Sequence, residues 1–347
     1  MLVVITSCAL AFFISQNTVR AAEPATVPVT NPSKYGLAGP FMVQTLDLAW
    51  RDELRNRDIP IRVEYPKTAR DSTKKFPLIV FSHGLGGSRE GGAMWGYHWA
   101  SHGFIVVHPQ HAGSDEALWK NVVPREAITN MKRAMNLENS QARADDIKWL
   151  LDEIARQEKA GRAPFIQTDF NRIGLSGHSF GGQTTFAVIG QINPLLPKMF
   201  VRDERIIAAI AFSPNARSKI ALDKQYGSIA IPVLSVTGNK DGSVLDDATK
   251  PEDRLLPYKN MQGGEFGSKY LVSFVGGDHM VFGGHPLTRR AETDRDRQIQ
   301  WGVKASTLAF WQATLSRDVD ERNDAKKWLE QGDFKSALTS ADIFEYK

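Results

Sequence analysis

Residues 177–181 read Gly-His-Ser-Phe-Gly, a G-x-S-x-G motif that can carry a serine nucleophile. The residues before the motif alternate like a short buried strand, and residues 183–189 can continue as a helix. In that context the motif forms a sharp turn that exposes Ser179 and aims the amide of Phe180 at a reacting carbonyl. For the motif taken alone, a glycine-rich loop ahead of a helix is the alternative interpretation.

A serine nucleophile needs a base and an acid that orients the base. Where a serine lies on such a turn, the acid and then the histidine follow it in the chain. Two predicted strands after the motif end in loops that carry Asp241 and His279. His279 would take the Ser179 proton and Asp241 would orient the imidazole. The competing candidates for the acid are Asp246, Asp247 and Asp278.

A second glycine-rich loop lies upstream of the motif. The apolar run 77–81 leads directly into Ser-His-Gly-Leu-Gly-Gly at 82–87. A strand that ends in His-Gly and further glycines is typical of an oxyanion-hole loop, because side chains would obstruct the developing oxyanion. We therefore expect the amides of Leu85 and Phe180 to be the two donors. The alternative is a plain glycine turn; the loop is not a P-loop, since no Gly-Lys-Ser/Thr follows.

The other histidines near these motifs are expected to have supporting roles. His178 is predicted to neighbour the base rather than to be the base. His108 and His111 suggest a metal site, but no set of carboxylates or cysteines completes it, so they are predicted to be structural or to face the substrate. No metal and no organic cofactor is expected.

Strands and helices alternate along the rest of the chain. Strands are predicted at 42–49, 59–65, 77–81, 103–108, 205–212, 229–237 and 270–275, and helices at 95–102, 142–154, within 251–261, and at 294–315. This order predicts an α/β fold with a mostly parallel, doubly wound sheet and antiparallel strands at its N-terminal end. We predict one catalytic domain at 37–318 with a small lid at 109–136. A C-terminal helical extension at 319–347 includes a helix at 324–338.

The N-terminal segment and the composition bear on location and partners. Residues 2–14 are apolar but too few to span a bilayer, and small residues precede position 22, so 1–21 is predicted to be a signal peptide and 22–36 a flexible leader. This favours a secreted or periplasmic protein. Basic residues number 43 and acidic residues 39, interspersed, so no nucleic-acid partner is expected. Cys8 is the single cysteine, which excludes a disulfide within one chain.

These residues together resemble the α/β-hydrolase superfamily, and more narrowly the secreted dienelactone-hydrolase-like esterases and the platelet-activating-factor acetylhydrolase group. The segments that carry the resemblance are Phe81-Ser-His-Gly-Leu-Gly-Gly-Ser-Arg89, Gly177-His-Ser-Phe-Gly-Gly182 and Gly276-Gly-Asp-His-Met-Val-Phe282. Two departures limit it. Dienelactone hydrolases use a cysteine nucleophile where this chain has Ser179. The acetylhydrolases take their acid after the strand that follows the turn, and here residues 211–214 read Ala-Phe-Ser-Pro.

The sequence therefore predicts a serine esterase that hydrolyses carboxylic esters through an acyl-enzyme on Ser179. The substrate is expected to be a small-molecule, lipid or polyester ester. Two alternatives stay open: an acyltransferase or peptidase with the same triad, and a catalytically inactive hydrolase fold that binds a ligand or a protein.

Overall fold

The computed structural model describes residues 33–68, 73–216, 218–243, 245, 249–285 and 291–347. The predicted signal peptide and most of the predicted leader lie outside the described residues. Two of the competing acids, Asp246 and Asp247, also lie outside them.

One sheet runs through the described part of the chain. Its strands are β1 (Val43–Asp52), β2 (Arg57–Pro66), β3 (Phe76–Ser82), β4 (Ile105–Pro109), β5 (Thr168–His178), β6 (Ile206–Phe212), β7 (Val233–Lys240), β8 (Lys269–Asp278) and β9 (Ile343–Tyr346). The spatial order is β1-β2-β4-β3-β5-β6-β7-β8-β9. The pairs from β4 through β8 are parallel, and the two strands at the N-terminal edge and β9 are antiparallel to their neighbours.

Helices cover both faces of this sheet. They are α1 (Ala93–Ser101), α2 (Pro124–Ala134), α3 (Leu137–Lys159), α4 (Phe180–Ile189), α5 (Leu222–Tyr226), α6 (Leu256–Asn260), α7 (Asp294–Leu315) and α8 (Val319–Glu330). Two buried apolar clusters result: α1 and α7 form one with the sheet, and α3 and α4 form the other. Every residue of β3 is buried, as expected of a central parallel strand. The predicted mostly parallel, doubly wound α/β fold is confirmed, including its N-terminal antiparallel strands.

The structure differs from the sequence-based prediction in two segments. Within 109–136 it contains a helix, α2, that the sequence analysis did not predict, and only Ala127 and Ala134 of this helix are buried. In the C-terminal segment the helix is Val319–Glu330 rather than 324–338, and the chain then forms β9 against β8. Strand β9 is short and mostly exposed, so it lacks the alternation that predicts a strand.

No helix in the described ranges combines the length and apolar character needed to cross a bilayer.

A buried charged cluster joins α3 to β2. The carboxylate of Asp146 accepts hydrogen bonds from Arg55 Nη1 at 2.9 Å, from Arg57 Nε at 2.7 Å and from His111 Nδ1 at 2.9 Å. Asp146 and His111 are completely buried. Burial alone would raise the pKa of Asp146, but the hydrogen bonds from His111 and Arg57 outweigh it and lower the pKa to about 2.

We predict that Asp146→Asn lowers the free energy of unfolding by about 3–5 kcal/mol, because Arg55 and Arg57 lose the buried carboxylate that they share. Urea unfolding at pH 7 measures the loss. Asp145→Asn is the matched control, since Asp145 lies next in the same helix and its carboxylate accepts from the neutral side chain of Gln141, at 2.9 Å. It should change the stability by less than about 1 kcal/mol.

The acid limb of the stability curve gives a second readout. The pKa of Asp146 falls from an ordinary 3.8 to about 2 on folding, so its stabilising effect is complete above about pH 5 and is lost as the pH falls toward 2. In Asp146→Asn this part of the pH dependence should disappear. An unchanged slope between pH 4 and 2 would contradict the assignment.

Candidate active site

Ser179 lies on a strained turn between β5 and α4. Its backbone has φ 57° and ψ −112°, a conformation that costs a non-glycine residue on the order of 1–3 kcal/mol. The amide of Ser179 donates to the carbonyl of Phe212 at the end of β6, at 3.0 Å. Ser179 is half-buried while His178 and Phe180 on either side are buried, so the turn leaves the hydroxyl group accessible.

Two glycines allow the turn to approach residues 82–87, the predicted oxyanion loop. A Cβ at Gly181 would overlap the carbonyl oxygen of Ser82, and one at Gly177 would overlap the carbonyl carbon of Gly181. No side chain fits in either place. The glycines of the motif are therefore required by the contact between α4 and the loop that follows β3.

The structure brings Asp241 and His279 together. Asp241 follows β7, His279 follows β8, and the Nδ1 atom of His279 lies 2.7 Å from Oδ1 of Asp241. A carboxylate can only accept, so Nδ1 carries the proton and Nε2 is left as the basic nitrogen. Both side chains are buried, Asp241 completely.

Two further groups hold the Asp241 carboxylate. The hydroxyl of Thr237 donates to Oδ2 at 2.8 Å, and the guanidinium of Arg254 lies 3.4 Å from Oδ1. Burial raises the pKa of Asp241. The hydrogen bond and charge of His279, together with the charge of Arg254, lower this pKa by more than burial raises it, so the net shift is downward. Asp241 is therefore ionised at neutral pH.

Arg254 is a residue of this site that the sequence analysis missed. Its guanidinium donates to the carbonyls of Asp241 and Ser213, both at 3.0 Å, and lies 3.2 Å from His279 Nδ1. It thus joins the loops that follow β6, β7 and β8. A charged residue is expected at the surface, and no local pattern marks a buried one, so the sequence carried no signal for it.

His178 supports the base, as its position in the motif predicts. Its ring centroid lies 4.6 Å from that of His279, and its Nε2 donates to the His279 carbonyl at 2.9 Å. Burial, followed by the charge of His279, lowers the pKa of His178 well below its ordinary value. His178 is therefore a neutral group that holds the backbone of His279.

The predicted oxyanion donors belong to two different segments, α4 and the turn that follows β3. Phe180 is the first residue of α4, and the first amides of a helix point toward its N-terminal end, which here is the turn at Ser179. Leu85 lies in a turn in which the amide of Gly87 donates to the carbonyl of Gly84 at 3.0 Å and Gly86 has φ 71°. Such a turn does not use the amide of its second residue, here Leu85.

A cavity of about 620 Å³ contains the candidate groups. Ser179, His279, Leu85 and Phe180 all line it. Much of its remaining wall comes from the predicted lid, which contributes Trp119, Pro124, Ala127, Ile128, Met131 and Met135. Trp119 Nε1 donates to the carbonyl of Gly86 at 2.6 Å and so fixes this segment to the oxyanion loop.

The remaining candidates of the sequence lie elsewhere. Asp278 accepts from the amides of Met280 and Val281, both at 3.0 Å, and turns the chain after His279. His108 is buried and its Nδ1 donates to the carbonyl of Gly91 at 3.0 Å. Within the described residues, no group of three or more His, Cys, Asp or Glu side chains could hold a metal ion.

Similarity to known proteins agrees with this architecture. The model of the family described as platelet-activating factor acetylhydrolase, isoform II, matches residues 40–157. The platelet-activating factor acetylhydrolase of Cavia porcellus is 26% identical over 166 residues, 41% of this chain and 35% of the relative. That of Canis lupus familiaris is 28% identical over 296 residues, 74% of this chain and 60% of the relative. The chain covers less than two thirds of either relative.

A mostly parallel sheet, with a serine on a strained strand-to-helix turn and a glycine loop facing it, defines an α/β-hydrolase. The chain has this fold. Within the class it is similar to the platelet-activating factor acetylhydrolases. The match to the family model includes the oxyanion loop but ends before Ser179, so it does not bear on the three candidate catalytic residues.

The close approach at the turn predicts unequal effects of alanine at neighbouring glycines. Gly181→Ala should lower the free energy of unfolding by about 1–3 kcal/mol, because its Cβ would collide with the Ser82 carbonyl. A Cβ at Gly182 would lie 3.1 Å from the Phe212 carbonyl oxygen and gains helix propensity, so Gly182→Ala should stay within about 1 kcal/mol of wild type. Urea unfolding of both variants measures the difference, and equal losses would contradict the close approach.

Proposed function

We propose that this protein is a serine hydrolase of carboxylic esters that forms an acyl-enzyme on Ser179. The observation that carries the proposal is the Asp241–His279 pair, 2.7 Å apart, at the cavity that also contains the strained Ser179. In this arrangement Ser179 is the nucleophile, His279 is the general base and acid, and Asp241 orients the imidazole.

Acylation follows from the protonation states. Nε2 of His279 takes the proton of the Ser179 hydroxyl as Oγ attacks the ester carbonyl carbon, and the carbonyl oxygen becomes an oxyanion. The amides of Leu85 and Phe180 are the proposed donors to that oxyanion. When the intermediate collapses, the bond to the alcohol breaks and the Nε2 proton passes to the leaving alcohol.

Deacylation repeats the sequence with water. Nε2 of His279 takes a proton from the water, the resulting hydroxide attacks the acyl carbon, and the proton returns to Ser179 Oγ as the acid leaves. The negative charge of Asp241 stabilises the imidazolium in both halves. No metal or organic cofactor is needed for these steps.

The cavity wall supports an ester with an apolar portion. Trp119, Ile128, Met131 and Met135 give the lid side of the cavity an apolar surface, and the oxyanion loop supplies backbone groups. We propose that segment 109–136 covers the bound ester as a lid. The relatives are acetylhydrolases of platelet-activating factor by name, so an acetyl ester of a lipid is a substrate to test. Export of the protein stays a prediction from its N-terminal sequence.

Ser179→Ala should abolish the hydrolysis of p-nitrophenyl esters, because the variant lacks the oxygen that attacks the ester. Rates measured for wild type from acetyl to palmitoyl, with platelet-activating factor in parallel, give the acyl preference. Ser176→Ala is the control: Ser176 lies in β5, three residues before Ser179, and its hydroxyl donates to the Val80 carbonyl at 3.2 Å inside the protein.

The outcomes separate the candidate functions. A folded Ser179→Ala that keeps the wild-type rate would disprove the nucleophile. A folded wild type that hydrolyses no ester and is not labelled by a fluorophosphonate probe would instead favour a binding protein with a hydrolase fold.

Asp241→Asn should lower kcat by about 10⁴-fold, because an amide at this position can donate to Nδ1 and leave His279 in the wrong tautomer. Asp278→Asn is the matched control: it neutralises the acid adjacent to His279, and its amide oxygen can still accept from the turn. It should change kcat less than tenfold. The assignment of the acid would be reversed if Asp278→Asn caused the larger loss. The measurement is the initial rate with p-nitrophenyl acetate in both variants.

A further inference from the structure

The orientation of the peptide between Gly84 and Leu85 decides whether the Leu85 amide can donate a hydrogen bond to an oxyanion. In a planar trans peptide the carbonyl and the amide point in opposite directions. The Gly84 carbonyl oxygen is held from one side by Nδ1 of His83, at 2.6 Å, and by the amide of Gly87, at 3.0 Å. A group that fixes the direction of the Gly84 carbonyl therefore also fixes the direction of the Leu85 amide, which points to the opposite side of the same peptide.

The tautomer of His83 is fixed by a second contact. Nε2 of His83 lies 3.0 Å from the backbone nitrogen of His111. A backbone amide can only donate, so Nε2 must be the acceptor and the ring proton must be on Nδ1. Nδ1 can therefore donate to the Gly84 carbonyl, which can only accept. Both nitrogens of the ring are used, and the side chain is 1% exposed.

The charge of the ring is fixed as well. Burial, followed by the charge of Arg143, lowers the pKa of His83 well below its ordinary value. A protonated ring would also point an N–H at the amide of His111. His83 is thus a neutral donor across the pH range of an esterase assay, and it does not exchange protons with the reaction.

Arg143 contacts the segment on the other side of His83. Its guanidinium is completely buried, donates to the carbonyl of His83 and to Ser82 Oγ, and lies 4.7 Å from the centroid of the Phe180 ring. It also donates to Ser114 Oγ at 2.9 Å. One side chain of α3 therefore contacts Phe180, which carries one proposed oxyanion donor, and His83, which lies two residues before the other.

Ser82 and His111 extend the hydrogen bonds of Arg143 as far as Asp146. Nδ1 of His111 donates to Asp146, so its Nε2 accepts from the Ser82 hydroxyl at 3.0 Å, and Ser82 Oγ in turn accepts from Arg143 at 3.0 Å. Ser82, His111 and Asp146 thus form a second serine–histidine–aspartate array, but a substrate cannot reach it, since all three residues are 0% exposed. It orders Arg143 and the loop rather than reacting.

We propose that His83 is a positioning residue of the oxyanion hole: its Nδ1–H, fixed by the backbone amide of His111, turns the Gly84–Leu85 peptide so that the Leu85 amide faces the carbonyl attacked by Ser179. This inference rests on the proposed function and adds to it the residue that orients one of the two donors.

Three substitutions separate the two hydrogen bonds of His83. In His83→Asn, the nitrogen of the new side-chain amide can take the place of Nδ1 and donate to Gly84. His83→Gln reaches the place of Nε2 and keeps only the contact with His111. His83→Phe keeps the ring and removes both bonds.

We expect His83→Asn to keep kcat within about fivefold of wild type. His83→Gln and His83→Phe should lose about 10²–10³-fold in kcat with KM nearly unchanged, the loss typical of one oxyanion donor. His102→Gln is the control, because His102 also contacts a carbonyl, that of Leu37 at 2.9 Å, but lies outside the cavity. Thermal unfolding of each variant reports its stability.

The kinetic outcomes decide as follows. Rescue by His83→Asn and loss in His83→Gln support positioning. A folded His83→Gln or His83→Phe that keeps kcat within threefold overturns it, as does an effect on KM alone. Equal losses of kcat in His83→Asn and His83→Gln, in proportion to lost stability, would also overturn it, since that pattern indicates only a structural role.

Nitrogen-15 NMR of the wild-type histidines tests the tautomer without any activity. The His83 ring should show a protonated Nδ1 and an unprotonated Nε2 from pH 6 to 9. An Nε2–H ring or an imidazolium would overturn the proposal even if the variants do not fold. If the wild type hydrolyses no ester while His83 shows the expected tautomer, the proposed function fails and the inferred orientation of the peptide stands.

Discussion

The backbone at Ser179 is strained, and the strain persists only because the elements around it leave no alternative. The turn is held by the hydrogen bond from Ser179 to Phe212 of β6 and by the contact of Gly181 with the carbonyl of Ser82. That contact sets the distance between α4 and the oxyanion loop. The order of β3, β5 and β6 in the sheet is therefore the condition for a half-buried serine in the cavity that both proposed oxyanion donors also line.

The sequence predicted those parts of the molecule in which local pattern and chain order determine the structure. Buried parallel strands appear as apolar runs, and the residues just after them, Asp241 and His279, must lie at one edge of the sheet. This reasoning led to the pair that the structure joins at 2.7 Å. Helix α7 begins where its capping residue Thr293 and the acidic first turn place it, at Asp294.

Other parts depend on partners that are distant in the sequence, and local pattern does not reveal them. Strand β9 exists because the edge of β8 is available to it, not because its own residues alternate. Helix α2 buries only Ala127 and Ala134, and its larger apolar side chains Ile128 and Met131 line the cavity rather than the core. Arg143 and Arg254 read as surface cations, yet both are buried among carbonyls and hydroxyls of segments far along the chain. Propensity rules assign such residues to solvent, and only the tertiary structure shows otherwise.

These buried charges lie on the two sides of the proposed reaction. Proton transfer from Ser179 to His279 would create a negative oxyanion near the oxyanion loop and a positive imidazolium near Asp241. The permanent charges of the protein have the opposite sign at each place: the positive Arg143 contacts the loop, and the negative Asp241 carboxylate contacts the imidazole. Arg254 offsets part of the Asp241 charge, which keeps that carboxylate stable in a buried site while its hydrogen bond to His279 is retained. Because burial weakens screening by water, fixed charges in this order favour the charge separation that the proposed ester hydrolysis requires.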